Sequence, residues 1–169
     1  MFFIFDLDMT LVNTIIAESD RNQRNWSKVY NIIKDFHLFD GMYDVLNMMS
    51  DKGIGYAIVT SSPRPYCDRV VSHFNLKPQF SICYHDTRRR KPYPDPINLA
   101  VSKVTNEKVI YSLGDRDIDI ISSKAAKTIS VGCLWGAVDR ESLCNSRPDI
   151  LLETPHNLLD LINSKMNIL

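Results

Sequence analysis

The sequence has no CxxC pair, no histidine at zinc-ligand spacing and no long apolar run, and each absence removes a class of protein. Its four cysteines, Cys67, Cys83, Cys133 and Cys144, are scattered along the chain. Without a framework spacing they read as reduced, mostly buried thiols of a cytosolic protein, not as disulfides or zinc ligands. No apolar stretch approaches the ~18–20 residues needed to cross a bilayer, so no membrane partner is expected. The opening Met1-Phe2-Phe3-Ile4-Phe5 lacks a basic flank, and Asp6 and Asp8 follow at once, so it reads as a buried strand and not as a signal peptide. A basic excess is missing too: 20 Lys and Arg balance 20 Asp and Glu, which argues against a dedicated duplex-binding protein. The expected location is cytoplasmic. There is no internal repeat, low-complexity tract or linker to divide the 169 residues, and a chain of that length buries a core as one domain.

What is present is an alternation of short apolar runs with longer helical patterns, the signature of an α/β sheet with crossover helices. Candidate strands are Phe2–Asp6, Gly55–Thr60, Ser81–Tyr84, Val109–Leu113, Thr128–Val131 and Asp149–Leu152. Most are apolar throughout, as strands covered on both faces should be. Candidate helices are Tyr43–Asp51, Pro65–Phe74, Asp95–Val104, Asp117–Ala126 and Pro155–Asn163. The stretch Ile15–Phe39 is polar in its first half and apolar only at Val29, Ile32, Ile33 and Phe36 in its second, which leaves room for one or two helices. Trp26 and Tyr30 read as packing for that stretch, and the four histidines as structural or exposed.

Chemistry-bearing residues fall just after the candidate strands. Asp6 and Asp8 follow the first, Thr60 ends the second, Lys91 lies in the loop after the third, and Asp115 follows the fourth. In an open parallel sheet the loops at the carboxyl edge meet at the ligand-binding crevice, which gathers residues more than a hundred positions apart. Carboxylates crowded there repel one another and call for a cation, and an all-oxygen set suits Mg²⁺ better than zinc. Mg²⁺ and Lys91 together would clamp a phosphate, one carboxylate could attack phosphorus, and a second could serve as acid and base. For two carboxylates placed directly after an all-apolar strand, solvated surface is the weaker reading, because burying them unpaired is costly.

Four runs of residues carry a resemblance. They are Asp6-Leu7-Asp8-Met9-Thr10-Leu11-Val12, Ile58-Val59-Thr60, Lys91-Pro92-Tyr93-Pro94, and Gly114-Asp115 followed by Asp119. In this order and at these intervals the chain resembles the haloacid dehalogenase-like superfamily, in its phosphatase branch, from Phe2 to about Ile162. The resemblance implies a Rossmann-like three-layer α/β/α sandwich with a mainly parallel sheet and a small helical cap insert at about 15–39, within a single domain spanning 1–169. It implies Asp6 as nucleophile and metal ligand, and Asp8 as general acid/base with its backbone carbonyl on Mg²⁺. Thr60 and Lys91 would hold the phosphoryl group, Asp115 would complete the metal site directly or through water, and Asp119 would stand near Lys91 or a metal-bound water. Thr10 would brace the loop and lie at the substrate side, and Ser61, Arg64 and Arg90 are further substrate-binding candidates. The run Arg88-Arg89-Arg90 reads equally as a solvated loop or as a positive rim. Met9 departs from the glycine commonest at its position, where a backbone that methionine resists is expected.

The resemblance implies a Mg²⁺-dependent phosphatase that cleaves a phosphate monoester through an aspartyl-phosphate on Asp6. A phosphotransferase or mutase of the same fold, and a non-catalytic phosphate-binding module, stand as alternatives. The insert is short beside the several dozen residues of many relatives, so the site is expected to be comparatively open. The expected partner is a phosphorylated small molecule or an exposed phosphate on a macromolecule, and a homo-oligomer is left open.

Overall fold

Strand β1 (Phe2–Phe5) alternates its side chains between two covered faces, and that alternation organises the molecule. Phe3 and Phe5 point into one apolar layer, Phe2 and Ile4 into the other, and all four are buried. A strand with polar residues on either face could not sit here.

The computed structural model describes residues 1–166. Six parallel strands form the sheet in the order β5-β4-β1-β6-β7-β8, with β4 (Tyr56–Val59), β5 (Ser81–Ile82), β6 (Ile110–Gly114), β7 (Ile129–Cys133) and β8 (Ile150–Leu152). On the Phe3 and Phe5 face lie α3 (Met42–Asp51), α4 (Arg64–His73) and α8 (Pro155–Met166), packing through Val45, Met49, Tyr66, Val70, Leu158 and Ile162. On the opposite face α5 (Asp95–Lys103) brings Ile97 and Ala100 against Phe2 and Ile4. Helix α6 (Asp117–Ala125) and the short α7 (Arg140–Asn145) add Ile120 and Leu143. The result is the three-layer α/β/α sandwich with a Rossmann-like parallel sheet. Each strand and helix expected from the sequence is present, with ends shifted by a few residues.

Two features have no counterpart in the sequence reading. One is α7, six residues long, whose first turn is capped by Asp139 accepting from the Ser142 amide at 2.9 Å. The other is a two-stranded antiparallel ladder of β2 (Val12–Asn13) and β3 (His37–Leu38), pairing Val12 with Leu38 and Asn13 with His37. This ladder clips together the two ends of the polar stretch. Between them run a 3₁₀ turn at Ile15–Ala17, α1 (Glu18–Asn22), α2 (Trp26–Ile32) and a second turn at Ile33–Asp35. Val29, Ile33 and Phe36 anchor that segment in the apolar layer below α4. All four cysteines are free thiols; Cys67, Cys83 and Cys133 are buried, while Cys144 is exposed.

Candidate active site

Because β1 lies between β4 and β6, with α3 carrying the chain to β4 on one face and α5 carrying it from β5 to β6 on the other, a crevice opens at its carboxyl end. Phe5 is paired with Ile58 of β4 and Leu113 of β6, so the residues that follow these three strands emerge side by side. A cavity of about 650 Å³ opens there, lined by Asp6, Asp8, Thr60, Ser61, Asp115 and Asp119. Thus the sheet brings together Asp6, Asp8, Thr60 and Asp115, named from the strand ends, with Ser61 and Asp119 beside them.

Lys91 reaches the cluster from the loop after β5 and is almost wholly buried. Its ammonium donates to Asp6 Oδ1 at 2.8 Å and to Asp119 Oδ1 at 2.7 Å. Asp119 is fixed in turn by the Arg116 amide, which donates to its Oδ2 at 3.1 Å across the first turn of α6. Gly114 makes room for this: a Cβ there would stand 2.2 Å from the Asp119 Cβ. Thr10, fully buried, donates to Asp115 Oδ1 at 2.8 Å, tying the loop after β1 to the end of β6. Thr60 Oγ1 accepts from the Ser62 amide at 3.0 Å.

Met9 takes φ of +63°, the left-handed backbone that makes glycine common at such a position. Its carbonyl presses on Gly136, where an added Cβ would lie 1.5 Å from the Met9 oxygen. Trp135 Nε1 donates to the Thr10 carbonyl at 2.9 Å, so the segment after β7 holds this loop from the far side.

Asp8 is gripped by the surrounding chain. Its Oδ1 accepts from Thr14 Oγ1 at 3.0 Å and from the Tyr66 hydroxyl at 2.5 Å, and its Oδ2 from Ser62 Oγ at 2.7 Å. The Arg21 guanidinium of α1 forms an ion pair with the same Oδ1. Burial raises the Tyr66 hydroxyl far above its ordinary pKa, with the Asp8 charge adding to the effect, so this phenol stays a donor.

Burial is also the largest influence on Asp6 and Asp115. It raises Asp6 to about 7 against the opposing pull of Lys91, with Asp119 and Asp8 adding to the rise. Asp115 is raised for the same reason, burial first and then the charges of Asp119 and Asp6. Burial alone would lower Lys91, but Asp119 and Asp6 outweigh it and hold the ammonium charged. Three carboxylates, Asp6, Asp115 and Asp119, thus face a single buried ammonium, while Asp8 has Arg21. The deficit is that of one divalent cation. Among the described residues no three His, Cys, Asp or Glu side chains converge as a complete metal-binding group. Two carboxylates, Asp6 and Asp115, leave positions for main-chain carbonyl and water oxygens, which suits Mg²⁺ and not zinc.

Three substrate-side expectations are corrected. Thr10 is fully buried against Asp115 and does not line the cavity. Arg64 turns away, donating to the Ser81 carbonyl at 3.0 Å and pairing with Asp86. Arg90 lies over the Tyr84 ring, 4.0 Å from its centroid, and donates to the Tyr84 carbonyl at 3.2 Å. It reaches the cavity only by backing Tyr84, which does line it. The neighbouring Arg89 pairs with Asp95 at 3.0 Å, so two of the three arginines in that run serve the loop. Sequence reasoning missed Thr14, Arg21, Ser62 and Tyr66. Ser62 adjoins the Thr60-Ser61 pair and was within reach; Arg21 sits in a polar run with no periodicity to single it out. Trp26 packs on Tyr66 with ring centroids 5.6 Å apart, and also lines the cavity.

Known proteins resemble this chain in sequence and in fold. The family model described as haloacid dehalogenase-like hydrolase matches residues 15–133. A pyrophosphatase PpaX of Bacillus pumilus is 30% identical over 129 residues, covering 75% of this chain and 60% of the relative. A phosphoglycolate phosphatase of Escherichia coli K12 is 29% identical over 126 residues, covering 72% of this chain and 50% of the relative. The chain therefore spans between half and three-fifths of the length of these two curated relatives. Among solved structures, a predicted phosphoglycolate phosphatase from Haemophilus somnus superposes with a TM-score of 0.82 at 17% identity, over 95% of this chain and 97% of that one. The chain belongs to the haloacid dehalogenase-like hydrolase family.

Proposed function

We propose that this chain is a Mg²⁺-dependent phosphatase that hydrolyses a phosphate monoester through an aspartyl-phosphate on Asp6. The observation that carries the reading is Lys91, buried between Asp6 and Asp119 at the mouth of three adjacent strands. One ammonium on one oxygen fixes the Asp6 carboxylate and leaves its other oxygen for phosphorus. Asp6 attacks, a phosphorus–oxygen bond forms to the carboxylate, and the ester bond breaks as Asp8, which takes up a proton from solvent when the substrate binds, gives that proton to the departing oxygen. Asp8 then takes a proton from water, which attacks the aspartyl-phosphate, releases phosphate and restores Asp6. Thr60 and Ser61 supply hydroxyls toward the phosphoryl oxygens, and Lys91 supplies positive charge beside them.

Asp6 and Asp115 would hold Mg²⁺ through their side chains and Asp8 through its main-chain carbonyl, while Thr14, Ser62 and Tyr66 keep its side chain in place for the proton. When bound, the ion supplies the positive charge that draws in the phosphate and offsets charge developing on its oxygens. The segment at about 15–39 would serve as a reduced cap within the single domain, its Glu18, Arg21, Asn22 and Trp26 forming a side of the cavity. The relatives' names make pyrophosphate and phosphoglycolate the first compounds to assay.

Replacing Asp6 with Asn tests the reading. Phosphate release should fall roughly a thousandfold or more while the circular dichroism spectrum is kept. EDTA should silence the natural chain and Mg²⁺ restore it. Substantial turnover by the folded Asn variant would sink the assignment.

A further inference from the structure

Arg21 is the buried cation that the phosphatase chemistry leaves unexplained. Only 13% of its side chain is exposed, and its Nε is the one buried side-chain nitrogen or oxygen without a hydrogen-bond partner among the described residues. The guanidinium lines the cavity and rests on Asp8. Asp8 does not need it for hydrogen bonding, because Thr14, Ser62 and Tyr66 already donate to both carboxylate oxygens. An arginine carries a planar fork of donors suited to a carboxylate or a phosphate, and this one uses a small part of it.

Position gives the fork a purpose. Lys91 holds the Asp6 side of the site, where the transferred phosphoryl group belongs. Arg21 stands over Asp8, on the side where the ester oxygen departs. We propose that Arg21 is a specificity-determining residue that selects substrates whose leaving group carries a second anion, a carboxylate or a phosphoryl group, close to the ester oxygen. This rests on the phosphatase reading above and names its substrate class. On binding, the guanidinium passes from Asp8 to the substrate anion and its Nε gains an acceptor. Thr14, Ser62 and Tyr66 keep Asp8 in place, and its Oδ1 loses one partner as the departing oxygen arrives.

Equilibrium binding of inert analogues tests this apart from turnover. Calorimetry in Mg²⁺ would compare methylenediphosphonate and phosphonoacetate, which carry the second anion, with methylphosphonate, which does not. The natural chain should prefer the first two by about tenfold to a hundredfold, the size of a desolvated charge-assisted contact. Arg21→Gln should bring that ratio close to one, and Arg21→Lys should leave part of it. Arg24→Gln removes the same charge from the cavity's rim without the contact to Asp8, and should change the ratio about fivefold at most. A preference confined to the diphosphonate identifies the second anion as phosphoryl, and one confined to phosphonoacetate as carboxylate; either supports the proposal. An unchanged ratio in Arg21→Gln, or an equal collapse in Arg24→Gln, overturns it. If Arg21→Gln does not fold, the ratio in Arg21→Lys decides, and a value equal to the natural chain's overturns it. A natural chain that binds all three alike defeats only the role of Arg21. One that binds none of them in Mg²⁺ defeats the phosphatase reading as well.

Discussion

The cavity has two walls built on different physics. One is the carboxyl edge of β1, β4 and β6, where Asp6, Thr60 and Asp115 stand on strands with apolar faces buried on both sides. The other is the segment between β2 and β3, where helices of five and seven residues present Glu18, Arg21, Asn22 and Trp26. Helix α1 has no fully buried residue and α2 has only Val29, so neither would form alone. The first wall is fixed by the sheet. The second is held by the ladder at its stem, by a few apolar anchors and by Arg21 on Asp8. Rigid placement is what the proposed attack at phosphorus would need, and the more loosely held wall is the one that carries Arg21.

The sharpest way to break the first wall is to remove its buried ammonium, Lys91. Lys91→Met leaves Asp6 and Asp119 facing each other without a countercharge. Loss of one member of such a buried group costs about 3–5 kcal/mol, and turnover should disappear with it. Urea denaturation gives the first quantity and phosphate release the second. Near-normal stability in the Met variant would mean that the cluster is less buried than its geometry indicates.

Metal and pH probe the same wall more gently. Asp6 has its folded pKa raised from 3.8 to about 7, chiefly by burial. It therefore holds its proton more tightly folded than unfolded. That contribution to stability is fully present below about pH 4 and is lost as pH climbs through about 7. In EDTA the melting temperature should fall between pH 5 and pH 7.5. With Mg²⁺ the stabilisation should grow over the same interval, because Asp6 must shed its proton to ligate. A Mg²⁺ effect that shrinks as pH rises would contradict the assigned ligand.

Trp26→Ala addresses the second wall. The ring packs on Tyr66 and Tyr30, with centroids 5.6 Å and 6.5 Å away, and joins the insert to α4. Its loss should speed amide exchange in residues 18–35 by about tenfold or more while β1, β4 and β6 keep their protection. Equal acceleration in both regions would mean that the two walls unfold as one unit.

How far each wall could be read from the sequence follows the same division. Phe2-Phe3-Ile4-Phe5 followed by Asp6 announces a buried strand ending in chemistry, because only a doubly covered strand is apolar at every position. Thr60, Asp115 and Lys91 were legible for the same reason, since the rule that parallel strands deliver their ends to one edge needs no side-chain detail. Arg21 was not legible: in Glu18-Ser19-Asp20-Arg21-Asn22 every side chain is polar, and only the fold decides which one turns inward. Arg64 and Arg90 erred in the opposite direction. They lie near the motifs in sequence, but Asp86 and the Tyr84 ring capture them.

The smallest expected effect lies where the two walls join. Met9 holds φ of +63° just after Asp8, and its carbonyl is pressed against Gly136. A left-handed backbone costs a non-glycine residue ~1–2 kcal/mol. Glycine avoids that cost, but it loses ~0.5–1 kcal/mol through the greater freedom of its unfolded chain. Met9→Gly should therefore raise stability by a net amount on the order of 0.5 kcal/mol, visible as a small upward shift in the denaturation midpoint at constant slope. The position lines the cavity, so the same variant also widens the floor beneath the insert. A loss of stability would mean that the methionine side chain contributes more packing between the walls than its strained backbone costs.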